Sequence, residues 1–188
     1  MSEMDSDLVP FEEINIEAPA EGEREVVPHK VVRHFKRLGR ELAMQFLYEC
    51  ELAGREELAE SLANFFLQAE ESGKFVQGRL FVKGQKYAQK LIAGVLLNEE
   101  EIDSLLQQFS EKWDMKRMPL VDKNIMRIAV YEMKYCPEIP MLVSIDEAIE
   151  ISKEFGTEKS SFFINGILNG VKSVLPKDAP AGKNDNEA

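Results

Sequence analysis

The sequence has few of the residues that enzymes most often use for catalysis. Its 188 residues include two histidines, two cysteines and one tryptophan, and both histidines, His29 and His34, lie near the start of the chain. The predicted folded body therefore lacks the usual proton shuttle. Walker A, GxGxxG, CxxC and HExxH motifs are also absent, which removes the usual routes to nucleotide hydrolysis, hydride transfer and zinc chemistry. We expect a protein that is not an enzyme and that carries no cofactor or metal.

Long apolar runs are missing as well. No stretch approaches the roughly 18 to 20 apolar residues that span a bilayer, and the first residues are acidic where a secretory signal would be basic and then apolar. We expect a cytoplasmic protein with no membrane association. Cys50 and Cys136 lie far apart within apolar helical patterns, so buried thiols are favoured over a disulfide or a metal pair.

Negative charge dominates the chain but is unevenly distributed. The net charge is -11, and residues 1–27 contribute -8 of it, from nine acidic residues and one arginine. Residues 30–40 carry five cations and no acid. A binding surface for an anionic partner depends on such a local patch and not on the total charge.

Apolar spacing predicts an all-α protein, a compact bundle of about seven helices in two subdomains of three to four helices. Apolar residues recur three and four positions apart throughout residues 34–175, and no alternating strand pattern of useful length occurs. Residues 1–28 and 176–188 lack periodicity and are predicted to be disordered. Gly39, within the first helix, indicates a close helix contact or a close approach to a ligand.

Several polar residues are predicted to mark helix ends. Asn98 is expected to cap the fourth helix, whose acidic start (Glu99, Glu100, Glu101, Asp103) suits the helix dipole better than a metal site. Ser144 and Glu147 have the spacing of a capping box for the sixth helix. Asn165 is interpreted as a polar group that holds helices together.

The first helix offers a candidate surface for single-stranded RNA, which is held by cations along its phosphates and by rings under its bases. Arg33, Lys36, Arg37 and Arg40 fall mostly on one flank beside the apolar stripe. A solvated polar face is the alternative interpretation. The lack of acids within this run favours the binding surface.

Four sequence blocks then occur in a fixed order: RELAMQFLYE (40–49), DKNIMRIAVYE (122–132), SIDEAIEISKEFG (144–156) and FINGIL (163–168). Together they resemble the transcription antitermination factor NusB family. The resemblance covers roughly residues 35–175 and implies a two-subdomain helical bundle that binds boxA RNA with the ribosomal protein NusE, within the RNA polymerase antitermination complex on ribosomal RNA operons.

The resemblance also implies a set of RNA-binding residues. Arg37 and Arg40 are expected to touch phosphates, and the surface is expected to be lined or supported by Tyr48, Phe109, Lys112, Asp122, Arg127 and Phe163. Lys159 and Phe162 lie in the variable loop and helix start before Phe163, where either could add an RNA contact. Alternatives stay open: Tyr48 and Phe163 as core residues, and Arg127 in an internal ion pair with Glu132 or Asp122.

Two rival functions remain at this point. One is a helical protein-interaction module without RNA activity. The other is a stand-alone relative of the RNA-targeting domain of ribosomal RNA cytosine methyltransferases. The sequence leaves the choice between monomer and homodimer open. A further hypothesis is that the acidic residues 1–27 compete with RNA for the basic helix.

Overall fold

The computed structural model describes residues 34–75, 77–110 and 115–176. Arg33, Lys112 and the predicted disordered ends, apart from Pro176, lie outside these residues. In the described ranges the chain forms seven α-helices and no strand, which are α1 (Phe35–Ala53), α2 (Leu58–Glu71), α3 (Arg79–Leu97), α4 (Glu99–Phe109), α5 (Leu120–Tyr135), α6 (Met141–Phe155) and α7 (Ser160–Val174). The short 3-10 helix Met115–Arg117 precedes α5. The all-α prediction is confirmed.

Helix α5 is the centre of the bundle. It packs against α1, α3, α4, α6 and α7, and every residue from Asp122 to Val130 is buried. Helix α1 packs closely against α3, and α6 packs against α7. The apolar side chains of all these helices form one continuous core. Polar residues of α5 are therefore surrounded by other helices, and this placement decides the chemistry described below.

Glycine lets α1 and α3 approach each other. A Cβ at Gly39 would lie 2.8 Å from Cδ1 of Tyr87 and 2.9 Å from the carbonyl oxygen of Gly84. The close helix contact predicted at Gly39 is confirmed. Gly170 of α7 makes a similar contact with the ring of Phe109, whereas Gly166 has open space around it.

The predicted helix ends are partly wrong. Helix α6 begins at Met141 after Pro140, three residues before Ser144, so Ser144 is buried inside the helix and caps nothing. The side chain of Asn98 donates to the carbonyl oxygen of Gly94 at 2.7 Å, which places it at the end of α3 and not on the free N–H groups of α4. Asn165 is exposed and bonds to Asn169 of its own helix, so it joins no helices.

Both cysteines are buried free thiols, as predicted. No helix in the described ranges is long and apolar enough to cross a membrane. The same residues contain no group of three or more His, Cys, Asp or Glu side chains that could hold a metal ion.

Candidate nucleic-acid interface

The start of α1 carries three of the predicted RNA-binding cations, and α6 supplies the carboxylate that holds two of them. Arg37 donates from Nε and Nη2 to the two oxygens of Glu147, at 2.6 and 3.0 Å. Arg40 donates from Nη1 to the same carboxylate at 3.0 Å. Lys36 is half-buried, with Nζ 5.9 Å from the ring centroid of Tyr87. These side chains form one cluster where α1, α3 and α6 meet.

The placement of Arg40 differs from the prediction of a surface cation. Its side chain is only 5% exposed, and Nε donates to the fully buried Glu132 of α5 at 2.9 Å. Glu132 also accepts from the hydroxyls of Tyr87 and Ser144. Arg40 lies on the flank of α1 that faces α5 and α6, so these helices cover it. Arg40 is therefore not a freely exposed cation, and its contact with an RNA phosphate stays a prediction.

One donor of Arg40 is left over. Nη2 is buried and has no hydrogen-bond partner among the described residues. Arg40 also lines a pocket of about 280 Å³, together with His34, Lys36, Arg37 and Glu147. An unpaired buried guanidinium N–H is costly, and an anionic or carbonyl oxygen that reached it would remove that cost. Throughout, we call this pocket the α1 pocket.

His34 lies in the lining of the α1 pocket, at the start of α1. Its Nδ1 accepts from the backbone N–H of Lys36 at 3.3 Å and so caps the helix. Burial and the charges of Lys36, Arg40 and Lys83 lower the pKa of His34 below its ordinary value of 6.5.

A second region brings together three other predicted residues. Asp122 at the start of α5, Lys159 before α7 and Phe163 in α7 line one cleft of about 690 Å³. The ring of Phe162, also in the lining, is 87% exposed, whereas Phe163 is partly buried against the core. An exposed ring beside a lysine is the combination that holds an unstacked base and its phosphate. We call this region the α7 cleft.

Asp122 is the buried floor of the α7 cleft. Its Oδ2 accepts from the hydroxyl of Ser160 at 2.9 Å, and its Oδ1 has no partner among the described residues. Burial raises the pKa of Asp122, and the Ser160 hydrogen bond offsets only part of this effect. Because the carboxylate is 3% exposed, its role is to anchor the start of α7.

Arg127 is also buried, in an ion cluster between α1, α4 and α5. It donates to Asp103 from Nε and Nη2 at 2.7 and 2.6 Å, and it pairs with Glu51 and Glu99. Burial alone would lower the pKa of its guanidinium, but these carboxylates outweigh burial and raise it. The internal ion pair considered above therefore exists, with partners other than Glu132 and Asp122. Arg127 therefore holds α1, α4 and α5 together, and its part in RNA binding stays a prediction.

The two remaining described residues differ in exposure. Tyr48 is 37% exposed on α1, which makes its ring accessible to a base. Phe109 is half-buried at the end of α4 and packs on Gly170 of α7. Phe109 is therefore mainly a packing residue.

Sequence reasoning overlooked a row of cations on α3. Arg79, Lys83, Lys86 and Lys90 follow each other at spacings of four, three and four, and α3 contains no acidic residue. Each of the four is exposed. Their spacing in the sequence was enough to predict a cationic surface, because it puts all four side chains on one helix face.

A helical bundle that bears a cationic pocket and an exposed aromatic cleft defines a class of candidate nucleic-acid-binding proteins. The NusB family model matches residues 37–173. The chain is 42% identical over 142 residues to the transcription antitermination protein NusB of Myxococcus xanthus (strain DK1622), covering 76% of this chain and 97% of that protein. It is 41% identical over 140 residues to the NusB of Bacillus cereus (strain B4264), covering 74% and 98%. The chain belongs to the NusB family.

Solved structures agree with this assignment. A structure of T. maritima NusB matches with a TM-score of 0.63 and 34% identity, covering 74% of this chain and 92% of that one. The structure of antitermination factors NusB and NusE in complex with dsRNA matches with a TM-score of 0.61 and 22% identity, covering 74% and 96%. At that identity, the second match speaks for the fold alone.

Proposed function

We propose that this protein is an RNA-binding transcription antitermination factor that binds boxA-type leader RNA together with ribosomal protein NusE. In this role it supports processive transcription of ribosomal RNA operons, in the cytoplasm and without catalysis. The relatives bear the name of transcription antitermination proteins, and a structure with the same fold contains both NusE and RNA. The α1 pocket carries the proposal.

The physical argument for the α1 pocket rests on two arginines that share one carboxylate. Arg37 and Arg40 place three N–H groups on Glu147, and Arg40 keeps a fourth, Nη2, without a partner. Lys36 adds a third cation to the lining, which also contains the carboxylates of Glu138 and Glu147. A phosphate entering here can replace Glu147 as the acceptor for Arg37 and Arg40, and because both arginines are already held in place, little side-chain freedom is lost.

The α7 cleft supplies the second part of the surface. The exposed ring of Phe162 and the ammonium of Lys159 provide stacking and charge, while Asp122 and Ser160 fix the start of α7. Arg127, on α5, pairs with Glu51 of α1 and Asp103 of α4 and so holds these three helices together. Arg33 belongs to the proposed surface through its place in the basic run at the start of α1, and Lys112 through the family resemblance. The protein has one moderate surface for RNA and one for NusE. When one partner is bound within the complex, the effective concentration of the other near its surface rises, so the two interactions strengthen each other.

The test is a titration of the full chain with a boxA-like RNA and with a scrambled RNA of equal length, with and without purified NusE, at several salt concentrations. We expect a preference for the boxA-like RNA that NusE strengthens. Binding without sequence preference, or the absence of binding, would contradict the proposal, and NusE binding without RNA binding would favour a protein-interaction module.

Matched variants locate the surface. Lys36→Gln and Phe162→Ala should each weaken RNA binding by about 1 kcal/mol or more, through a lost phosphate contact and a lost stacking platform respectively. Lys153→Gln and Leu97→Ala, at exposed positions of other surfaces, are the controls. Equal effects of site and control variants would show that RNA binds elsewhere.

A further inference from the structure

The exposed face of α3 is the most positively charged helical surface among the described residues. Its row of Arg79, Lys83, Lys86 and Lys90 gives α3 a charge of +4 with no acidic residue, in a chain whose net charge is -11. At 1.5 Å per residue, the row from Lys83 to Lys90 extends about 10 Å along the helix axis. Nothing in the apolar packing of α3 requires these cations, because the buried face consists of other residues, such as Phe81, Ala88 and Leu91.

This row adjoins the α1 pocket. The contact between Gly39 and Tyr87 fixes the crossing of α1 and α3, and Lys36 lies over the same Tyr87 ring. Lys83 is close enough to His34 to lower its pKa. At the other end of the row, the charges of Lys90 and Lys36 both lower the pKa of Glu138, which lies in the lining of the α1 pocket.

Two carboxylates, Glu138 and Glu147, lie near this surface. Glu138 pairs with Lys90 at 2.7 Å, and both side chains are about half exposed, so the pair is weak and a phosphate can replace the carboxylate. Glu147 is held by Arg37 and Arg40. Within the described ranges, Lys86 forms no ion pair, so its ammonium is available.

We propose that Lys83, Lys86 and Lys90 form a phosphate-binding track that continues from the α1 pocket and holds the nucleotides that flank the recognised RNA element. This inference rests on the proposed function. The partner is the backbone of single-stranded RNA, since lysines on a smooth helix face read charge and not sequence. The track therefore adds affinity for longer RNA without changing which element is recognised.

The experiment compares three RNAs, one with the boxA-like element alone and two with an unstructured extension on its 5′ or its 3′ side. Binding is measured by fluorescence anisotropy over a range of salt concentrations. The test variant is Lys83→Gln/Lys86→Gln/Lys90→Gln. The control variant, Lys74→Gln/Lys153→Gln/Lys172→Gln, loses the same charge at two exposed positions and one half-buried position outside α3. Thermal melts establish that both variants fold.

The wild-type chain should bind one extended RNA more tightly than the short one. The α3 variant should lose this gain, with about tenfold weaker binding at low salt and a salt slope reduced by about 2, since each single-strand phosphate contact contributes about 0.7. Its binding of the short RNA and the control variant's binding of all three RNAs should stay within about twofold of wild type.

Three results would overturn the track. If the α3 variant binds the extended RNAs as wild type does, the track is wrong and the proposed function stands. If the α3 variant weakens short and extended RNAs equally, or the control variant has the same effect, only overall charge is at work. If the wild-type chain binds none of the RNAs, the proposed function fails, and the track fails with it.

Discussion

Gly39 of α1 lies against Tyr87 of α3 so closely that a Cβ at position 39 would stand 2.8 Å from the ring carbon Cδ1. The same contact sets the crossing of the two helices, and it brings the Tyr87 hydroxyl to Glu132 and the Tyr87 ring to within 5.8 Å of the Arg40 guanidinium carbon. Helix packing and the α1 pocket therefore share one structural element.

Gly39→Ala should lower the free energy of unfolding by about 1–3 kcal/mol, because the added methyl group has no room and the helices must move apart. Gly166→Ala is the matched control: nothing lies within 4 Å of the added Cβ on α7, and alanine should raise stability by about 0.5–1 kcal/mol. Urea denaturation measures both. A neutral Gly39→Ala would mean that the α1–α3 contact is looser than described.

Glu132→Gln should destabilise the protein by about 3 kcal/mol, because it leaves the buried Arg40 guanidinium without its main counter-charge. Tyr87→Phe, which removes one neutral donor to the same carboxylate, should cost only about 1 kcal/mol. Chemical denaturation of both variants and of the double variant gives the coupling between them. Equal losses in the two single variants would contradict the central role of the ion pair.

Glu147→Gln should increase affinity for RNA several-fold at low salt, since it frees Arg37 and Arg40 from a competing carboxylate. Glu150→Gln, which removes an exposed acid from the same helix, is the control. The RNA affinity of both variants is measured by fluorescence anisotropy titration. If Glu147→Gln weakens RNA binding, the carboxylate positions the arginines for RNA instead of competing with it.

The stability of Glu147→Gln should also depend on pH. Burial alone would raise the pKa of Glu147, but Arg37 and Arg40 lower it below 4.5. A carboxyl group with a depressed folded-state pKa contributes stability above its unfolded pKa, and this contribution is lost as the pH falls through the folded value. The variant should therefore be less stable than wild type at pH 7, with the deficit shrinking below about pH 4.5. Thermal melts from pH 7 to pH 3 measure this.

Asp122→Asn should show the opposite pH dependence. Burial raises the folded-state pKa of Asp122 above 3.8, so its stabilising contribution is complete below that pH and is lost as the pH rises through the folded value. Relative to the asparagine variant, wild type should gain stability as the pH falls from 7 to 4. Asparagine still accepts the Ser160 hydroxyl, so the hydrogen bond is preserved. A pH-independent difference would mean that Asp122 ionises normally.

Deleting residues 1–27 should raise RNA affinity at low salt, because it removes a charge of -8 from the chain, and the effect should fade as salt screens it. The control is the full chain with the nine acids of this segment replaced by amides, which should behave like the deletion. Unchanged affinity at low salt would rule out an electrostatic role for the segment. The segment itself lies outside the described residues.

Local sequence patterns predicted the helices well and their ends less well. Apolar residues three and four apart are enough to place a helix, and the close contact at Gly39 followed from the cost of glycine inside one. The capping box at Ser144 was wrong because Pro140 allows α6 to begin earlier, and Ser144 is then needed by Glu132 on α5. The four-residue capping-box pattern does not reveal that Ser144 has a hydrogen-bond partner on another helix.

The placement of the site residues was harder to predict, because it also depends on contacts between helices that are distant in sequence. The spacing of Lys36, Arg37 and Arg40 indicates a flank of α1, but not which part of that flank α5 and α6 cover. Arg40 proved to be buried among carboxylates, while Asp122, Lys159 and Phe163 line one cleft although the first two are 37 positions apart in sequence. Such contacts depend on the packing of distant helices, which no local pattern encodes.

The sequence by itself determined that this chain is a helical bundle of the NusB family, because helical periodicity and four ordered motif blocks are properties of the chain read along its length. The tertiary structure alone decided which charges are buried and which remain accessible. Burial depends on which helices face each other, and it separates Arg40 and Arg127, held by carboxylates inside the bundle, from the lysines of α3, which stay in solvent.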